Sequence, residues 1–335
     1  MRPLRLVLLA TLLSVTVAAG CSSGDGETVT IYSGRSSDLI GPILEDFADE
    51  TGTDVKVKYG DSAELALLIA EEGDKSPADV FVSQNPGAMG YLESEGLLAE
   101  LDAEVLALVD PQMGSESGQW VALSGRRRVI VYNTDLVDEA ELPDSVLDLT
   151  DPAFKGQVGV APTNGSFQDF VSALRIGLGE DETAAWLEAM ADNDAQEYGN
   201  NNAIVEAVSR GEVPMGLVNH YYNERFLEED PDLPSQNHYL PADDVGSLLI
   251  VTAAAVLESS DNKDVAEELV SWLLAEEAQQ YFTDETFEYP LATGVEPNET
   301  LDPLDLADVY TIDYAALGAD FETTLALIND SGLGS

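Results

Sequence analysis

Apolar residues recur along the chain in two alternating patterns, one typical of strands and the other of helices. Residues 28–33 form a β-type run that Gly34 ends, and residues 36–51 carry apolar side chains at helical spacing up to Gly52. Strands that alternate with helices predict an α/β fold with a largely parallel sheet. The further predicted strands are 55–59, 80–82, 129–133, 157–160, 213–218 and 248–257, and the further helices are 64–72, 87–95, 167–178, 182–191, 202–210, 220–229 and 265–282.

These elements form two α/β units of similar size, which predicts two lobes with a cleft between them. The length of 335 residues is compatible with two domains. Ligands of open α/β sheets bind beyond the carboxyl ends of the strands, so the cleft is the expected binding site.

The first 27 residues follow neither pattern. Two arginines precede 14 apolar or small residues at 6–19, fewer than the about 20 residues of a membrane-spanning helix, so we interpret 1–20 as a signal peptide. Cys21, the sole cysteine of the sequence, follows this run and precedes a polar segment. The pattern resembles the lipobox of bacterial lipoproteins, which predicts a lipid-anchored Cys21 with 21–27 as its tether. The alternative is an ordinary secretory cleavage site that yields a periplasmic or secreted protein.

Charge narrows the range of functions. The sequence has 64 Asp and Glu against 14 Lys and Arg, a formal net charge of −50 at pH 7. A surface with this much negative charge repels phosphate backbones and acidic lipid headgroups. We therefore expect no nucleic-acid partner, and contact with the membrane only through the anchor. Carboxylates also hold water and resist aggregation where salt screens their repulsion, which fits a saline exterior.

The inventory of chemical groups favours binding over catalysis. One cysteine excludes an internal disulfide, and two histidines, His220 and His238, disfavour His-rich zinc or copper sites. The sequence has no GxSxG elbow, P-loop, strand-linked GxGxxG, HExxH or EF-hand loop. A secreted hydrolase is therefore disfavoured, and we expect no enzymatic activity.

Adjacent tyrosines offer the clearest candidate chemistry. Tyr221 and Tyr222 follow a predicted strand and open a predicted helix. A phenol has a pKa of about 10, but a trivalent cation displaces its proton and leaves a hard anionic oxygen that suits ferric iron better than zinc or copper(I). The alternative for such a pair is ordinary amphipathic packing.

Four segments, in order along the chain, carry a family resemblance. They are Ser-Pro-Ala-Asp-Val-Phe at 76–81, Trp-Val-Ala-Leu-Ser-Gly-Arg at 120–126, Ala-Pro-Thr-Asn-Gly-Ser-Phe at 161–167 and Asn-His-Tyr-Tyr at 219–222, with shorter matches at 253–257, 262–264 and 288–291. Together they resemble the ferric-ion-binding proteins of bacterial iron ABC transporters.

The resemblance implies a periplasmic-binding-protein fold of type 2, in which two lobes joined by crossover strands close on Fe³⁺. The lobes would be 28–125 plus 247–297 and 126–246 plus 298–335. The protein would act as a monomer that delivers iron to an ABC permease. A second interpretation within binding proteins is an organic anion such as a phosphonate as ligand, with the tyrosines as hydrogen-bond donors.

The site residues implied by the resemblance include a metal pair and an anion cradle. The family's tyrosine pair corresponds to Tyr221 and Tyr222. Its synergistic anion, carbonate or phosphate, would be held by a turn at a helix start and by two asparagines. Unpaired N–H groups at a helix start bind anions without a basic side chain, although a plain helix cap is the alternative. The residues of this cradle are Asn164, Gly165, Ser166, Asn201 and Asn219.

Two ligands found in some family members are absent. Ser36 occupies the position of a histidine, and Gln84, beside Asn85, occupies that of a glutamate. Gln84 and Asn85 are therefore candidate anion contacts rather than metal ligands. Asp61 is a candidate for an additional metal-binding carboxylate, with a surface-loop residue as the alternative.

Arginines are rare after the signal peptide, yet three are consecutive at 126–128. We expect one or two of them, Arg126 first, to hold an anion in the cleft, with Arg35 on the first loop in a similar position. The alternative is a network of salt bridges with the abundant carboxylates.

The lipobox pattern leads to a test of the anchor. Mass spectrometry of the protein from a lipoprotein-processing bacterium should find acylated Cys21 as the first residue. A Cys21→Ser variant should no longer fractionate with membranes. An unmodified thiol in the wild-type protein would contradict lipidation and favour secretion.

Overall fold

The computed structural model describes residues 27–317 and 321–334. Its strands are β1 (Thr28–Ser33), β2 (Asp54–Tyr59), β3 (Val80–Ser83), β4 (Val121–Asn133), β5 (Val158–Val160), β6 (Gln196–Glu197), β7 (Met215–Asn219), β8 (Ser235–His238), β9 (Leu249–Val256) and β10 (Tyr289–Pro290). Its α-helices are α1 (Ser37–Thr51), α2 (Ser62–Glu72), α3 (Pro86–Ser94), α4 (Ala103–Leu106), α5 (Gly165–Leu178), α6 (Glu180–Asp192), α7 (Asn201–Ser209), α8 (His220–Glu229), α9 (Lys263–Leu273), α10 (Glu276–Asp284), α11 (Tyr314–Leu317) and α12 (Phe321–Asp330). The predicted signal peptide and Cys21 lie outside the described residues.

Hydrophobic spacing accounts for the helices that cover the sheet. In α1 the buried side chains are Ile40, Ile43, Leu44 and Phe47, which lie on one face at the i, i+3, i+4, i+7 spacing. Gly52 ends this helix with a φ of 76°, a left-handed conformation that glycine adopts without steric cost. In the part of the chain that is described, no helix is both long and apolar enough to cross a membrane.

The sheet has two parts that share β4. The first half-sheet comprises β2, β1, β3, β9, β10 and the beginning of β4, and the second comprises the end of β4 with β7, β8, β5 and β6. The strand β4 pairs with β9 over residues 121–127 and with β7 over residues 128–132. A single strand therefore carries the chain from one half-sheet to the other.

The prediction of a largely parallel sheet was wrong around β4. β1 pairs in parallel with β2 and β3, and β5 pairs in parallel with β6 and β7. Every pair that β4 forms among the described strands is antiparallel. The strand is also longer than the predicted 129–133. The prediction missed its first part because Ser124, Gly125 and three arginines interrupt the apolar pattern, although all residues of the strand are buried.

The predicted helix 265–282 is two helices, α9 and α10. Gln279 of α10 explains how the interruption is accommodated in the core. Its Nε2 donates to the carbonyl oxygens of Leu273, at the end of α9, and Leu123, and its Oε1 accepts from the N–H groups of Leu291 and Ala292. Leu123 lies where the β4–β9 register shifts, so Gln279 also satisfies a carbonyl at this irregularity in the ladder.

This arrangement predicts that Gln279→Leu is strongly destabilising. It would leave four buried backbone groups without their partner, and each such loss costs about 1–3 kcal/mol, so the free energy of unfolding should fall by about 3 kcal/mol or more. The measurement is urea denaturation followed by circular dichroism. Gln280→Leu is the control, because Gln280 is the exposed neighbour and its amide bonds only to exposed Asp284. Equal stability of the two variants would contradict the role of Gln279.

Candidate functional site

Strand ends from both half-sheets meet around the middle of β4. Gly34 follows β1, and a Cβ atom there would lie 1.9 Å from the Oγ of Ser62, so only glycine permits this close approach. The Ser62 hydroxyl in turn accepts the N–H of Gln84, 2.9 Å away, which follows β3. From the second half-sheet, β7 ends at Asn219 and leads directly into α8. The site therefore lies at the carboxyl ends of the parallel strands, as the fold class predicts.

The tyrosine pair begins α8. Tyr221 is 2% exposed, Tyr222 is partly buried, and their ring centroids are 4.1 Å apart with an interplanar angle of 30°. Burial raises the pKa of the Tyr221 phenol well above its ordinary value, and the neighbouring Tyr222 raises it further, whereas Arg126 and Arg35 lower it. The raised pKa means that the Tyr221 phenol keeps its proton at neutral pH in the absence of a strongly charged cation.

The predicted anion cradle forms one hydrogen-bond network. The Asn164 Oδ1 accepts from the backbone N–H of Ser166 at 3.1 Å and from its hydroxyl at 2.7 Å. The Asn201 Nδ2 donates to the Asn164 Oδ1 at 3.1 Å and to the Ser166 Oγ at 3.0 Å. Arg128 Nη1 donates to the Asn219 Oδ1 at 3.1 Å and to the Ser166 Oγ at 3.4 Å, and so joins the end of β7 to this network. The structure thus brings together all the side chains that the sequence assigned to the cradle.

The cradle also serves as a helix cap, so both interpretations of its sequence apply to the same residues. Asn164 caps α5, and Gly165, its first residue, has no atom within 4 Å of the position that a Cβ would take. Several buried polar atoms here have no partner among the described residues: Asn201 Oδ1, Asn219 Nδ2 and the Nε and Nη2 of Arg128. The donors among these atoms, Asn219 Nδ2 and the two Arg128 nitrogens, are suited to an anionic ligand, whereas Asn201 Oδ1 is an acceptor.

The three consecutive arginines point in different directions, as successive residues of a strand do. Arg126 donates to the backbone oxygen of Gln84, on the side of the tyrosine pair. Arg127 instead donates to the backbone oxygen of Asp308 at 3.2 Å and lies 4.4 Å over the ring of Tyr239.

Burial leaves these three guanidinium groups in an unusual state. All three are buried, and within the described part of the chain none has a carboxylate at ion-pair distance. Burial lowers the pKa of Arg128 to about 10, although Tyr222 and Asp169 oppose the shift. The predicted alternative of a salt-bridge network therefore does not describe their contacts here.

Arg35 is held by a residue that the sequence analysis did not assign to the site. Its Nη2 donates to one carboxylate oxygen of Glu288, and the other oxygen accepts the Ser124 hydroxyl. Burial lowers the pKa of the Arg35 guanidinium, but Glu288, Tyr221 and Tyr222 together raise it above its ordinary value. Arg35 thus lies beside the tyrosine pair as one half of a buried ion pair.

The buried carboxyl near the cradle is that of Asp169, to which the sequence analysis gave no role, and not that of Asp61. Asp61, the candidate carboxylate ligand, is exposed and caps α2 by accepting the N–H groups of Ala63 at 2.9 Å and Glu64 at 3.3 Å. Asp169 is buried on α5, and burial raises the pKa of its carboxyl to about 7 against the opposing effects of Arg126, the Asn85 side chain and Arg128. An acidic residue on the apolar face of the predicted helix 167–178 was the signal that could have identified it.

His220 is a structural neighbour of the tyrosines. Its Nδ1 accepts the backbone N–H of Arg127 at 3.1 Å, and its ring stacks on Tyr289 with centroids 4.7 Å apart. Burial lowers its pKa to about 3, so the imidazole is neutral and fixes the start of α8 against β4.

Comparison with known proteins agrees with this geometry. The profile of the bacterial extracellular solute-binding protein family matches residues 75–317. The chain is 33% identical over 331 residues to an Fe(3+)-binding periplasmic protein of Serratia marcescens, covering 97% of this chain and 96% of that one. Iron-bound HitA from Pseudomonas aeruginosa superimposes with a TM-score of 0.85 at 37% identity, covering 92% of this chain and 100% of that one.

A putative 2-aminoethylphosphonate-binding periplasmic protein of Salmonella typhi is more distant, with 22% identity over 86% of each chain. The iron-binding relatives are thus considerably more similar to this chain than the phosphonate-binding one. The structural match confirms the predicted two-lobed type 2 periplasmic-binding-protein fold. The chain belongs to the bacterial extracellular solute-binding protein family.

Proposed function

We propose that this protein captures Fe³⁺ together with a synergistic anion in the cleft and delivers the iron to an ABC permease. The observation that carries the proposal is that the Tyr221–Tyr222 pair, with ring centroids 4.1 Å apart, begins the helix whose N-cap is Asn219, a cradle residue whose buried Nδ2 has no partner among the described residues. The pair provides hard anionic oxygens for the metal, and the cradle provides the donors for the anion. Its work is binding and release, with no catalytic step.

The charges explain why an anion is needed. Two phenolates neutralise two of the three charges on Fe³⁺ and fill two of the about six positions that a hard octahedral ion takes. Ser36 and Gln84 are neutral, and Asp61 is engaged as the cap of α2. A carbonate or phosphate held by Asn164, Gly165, Ser166, Asn201 and Asn219, with Arg126 beside it, supplies the missing negative charge.

Closure of two lobes would complete the site. We infer lobes of 28–125 plus 247–297 and 126–246 plus 298–335, joined where β4 passes from one half-sheet to the other. The metal and anion donors named above all belong to the second of these lobes, so closure would bring first-lobe groups such as Arg35, Gln84 and Asn85 against the bound ligands and complete their contacts. The protein acts outside the cytoplasm, as a monomer, and is anchored through Cys21.

The ligand assignment predicts that Tyr221→Phe and Tyr222→Phe each abolish the visible phenolate-to-iron absorption band or greatly weaken it. Each change keeps the packed ring but removes a ligand, so iron affinity should fall by more than the about 10- to 100-fold that loss of an outer partner costs. Because each bound phenol must lose a proton, wild-type affinity should fall as the pH falls, by about tenfold per pH unit for each phenol. The measurement is a ferric citrate titration at several pH values.

Tyr132→Phe is the matched control for this experiment. Tyr132 is a buried residue of β4, and its hydroxyl donates to Gln236 at 2.8 Å. The variant therefore loses a tyrosine hydroxyl elsewhere in the second half-sheet. It should retain colour and the full pH slope. Normal iron affinity in both tyrosine-pair variants would refute the assignment, and phosphonate binding without any iron band would favour the alternative ligand.

The anion cradle predicts that iron affinity depends on an added anion. A ferric titration in carbonate- and phosphate-free buffer should give weak binding, and restoring either anion should recover it, because the cradle then holds a donor against the metal. Asn201→Leu should reduce that recovery, since it removes the amide that donates to both Asn164 and Ser166. Iron affinity that stays the same with and without anions would mean that a protein carboxylate completes the site.

A further inference from the structure

The cleft is rich in buried positive charge, which is a difficulty for a protein that takes up a trivalent cation. Arg35, Arg126, Arg127 and Arg128 are all buried, at 1% to 7% exposure. Among the residues that the structure describes, Arg35 differs from the other three because a carboxylate, that of Glu288, lies at ion-pair distance. In the described part of the chain, Arg35 is thus the one of these four arginines whose charge a carboxylate neutralises directly.

Glu288 is placed to hold Arg35 firmly. It lies between α10 and β10 and is 0% exposed, and its two oxygens are occupied by Arg35 and by the Ser124 hydroxyl of β4. Arg35 Nη1 has no partner within the described residues. The ion pair thus fixes one nitrogen of the guanidinium and leaves a second as a directed donor.

The charges of this pair act on the tyrosines of the other half-sheet. Phe287 and Tyr289, the chain neighbours of Glu288, pack with Tyr221 in one buried cluster, so the ion pair lies close to the tyrosine pair. The carboxylate and the guanidinium carry opposite charges, and they therefore act on a charge at the tyrosine pair with opposite sign. A cation at the tyrosine pair would experience the two charges in the same opposed way.

We propose that Glu288 is a positioning residue that sets the preference of the cleft for a ferric cation over a free anion, by holding and neutralising Arg35 beside Tyr221 and Tyr222. An unpaired guanidinium would attract anions and repel Fe³⁺, whereas the paired one retains a hydrogen-bond donor with little net charge. This inference rests on the proposed iron-binding function.

The test is Glu288→Gln in the full-length protein. The amide can still accept from Arg35 and donate to Ser124, so the hydrogen bonds survive while the negative charge is removed. Ferric citrate affinity, measured from the visible band, should fall about tenfold or more, while calorimetry should show phosphate binding to the iron-free protein about threefold tighter. A merely structural role would lower both affinities or change neither.

A double variant, Arg35→Gln with Glu288→Gln, provides the rescue. It removes both charges, so the net charge at this position is again zero, as in the wild-type ion pair. The affinities for iron and for phosphate should therefore return toward those of the wild type. Glu206→Gln is the matched control, because it breaks the exposed Arg210–Glu206 ion pair and should leave the affinities for ferric citrate and for phosphate unchanged. Thermal unfolding of every variant verifies that it is folded.

The outcomes separate this inference from the proposed function. If wild-type protein gives no iron band, the proposed function fails. If the wild type gives the band but Glu288→Gln changes iron and phosphate affinity in the same direction, or in neither, only the role of Glu288 is overturned. A double variant as weak for iron as Glu288→Gln alone would overturn it as well.

Discussion

The burial of three guanidinium groups on β4 is the constraint on which the site depends. A buried charge is costly unless hydrogen bonds or an opposite charge replace its lost hydration. Arg126 donates a hydrogen bond to the Gln84 carbonyl, Arg127 donates one to the Asp308 carbonyl, and Arg128 donates one to the Asn219 side chain. Each of these hydrogen bonds goes to a different segment of the chain. The strand that connects the two half-sheets therefore also holds their loops close to one another.

The same constraint gives the cleft its binding character. Carbonyl and amide oxygens solvate a guanidinium only partly, and the Nε atoms of all three arginines have no partner among the described residues. A small anion can satisfy such groups better than water can, because it supplies charge as well as acceptor atoms. In a chain with a net charge of −50, this cationic interior contrasts with an acidic exterior. The exterior would repel bulk anions and concentrate cations, while the cationic interior would hold the anion of the proposed function.

Local sequence was sufficient to predict the local structure of the candidate site residues that are contiguous in the chain. The tyrosine pair at the start of α8 and the Asn164–Ser166 turn at the start of α5 each depend on residues within one strand–helix junction, where turn and cap preferences are strong. The predicted helix 265–282 failed for the opposite reason. Its interruption is stabilised by Gln279, whose partners come from β4 and β10 and are invisible to a pattern of neighbouring residues.

Contacts between residues that are distant in the chain account for the parts of the candidate site that the sequence analysis did not predict. Arg35 and Glu288 are 253 positions apart, and nothing near either residue indicates the other. Likewise, Asp61 and Asp169 are both acidic residues near a helix start, yet one is exposed and caps α2 while the other is buried on α5. Which carboxylate is desolvated depends on the tertiary fold, and desolvation is what changes its chemistry.

The buried carboxyl of Asp169 also limits how the cleft can respond to pH. Its pKa is raised to about 7 by burial, so the protonated form favours the folded structure, and this contribution is lost as the pH rises from about 4 through 7. The pKa of the Tyr221 phenol is raised well above its ordinary value by burial, and under the proposed assignment this phenol would have to lose its proton to bind a metal, which high pH would favour. Burial would thus impose opposite pH preferences on two groups of the same cleft. Such a pair of requirements would be met best near neutrality, where Asp169 retains part of its proton and a trivalent cation could displace that of Tyr221.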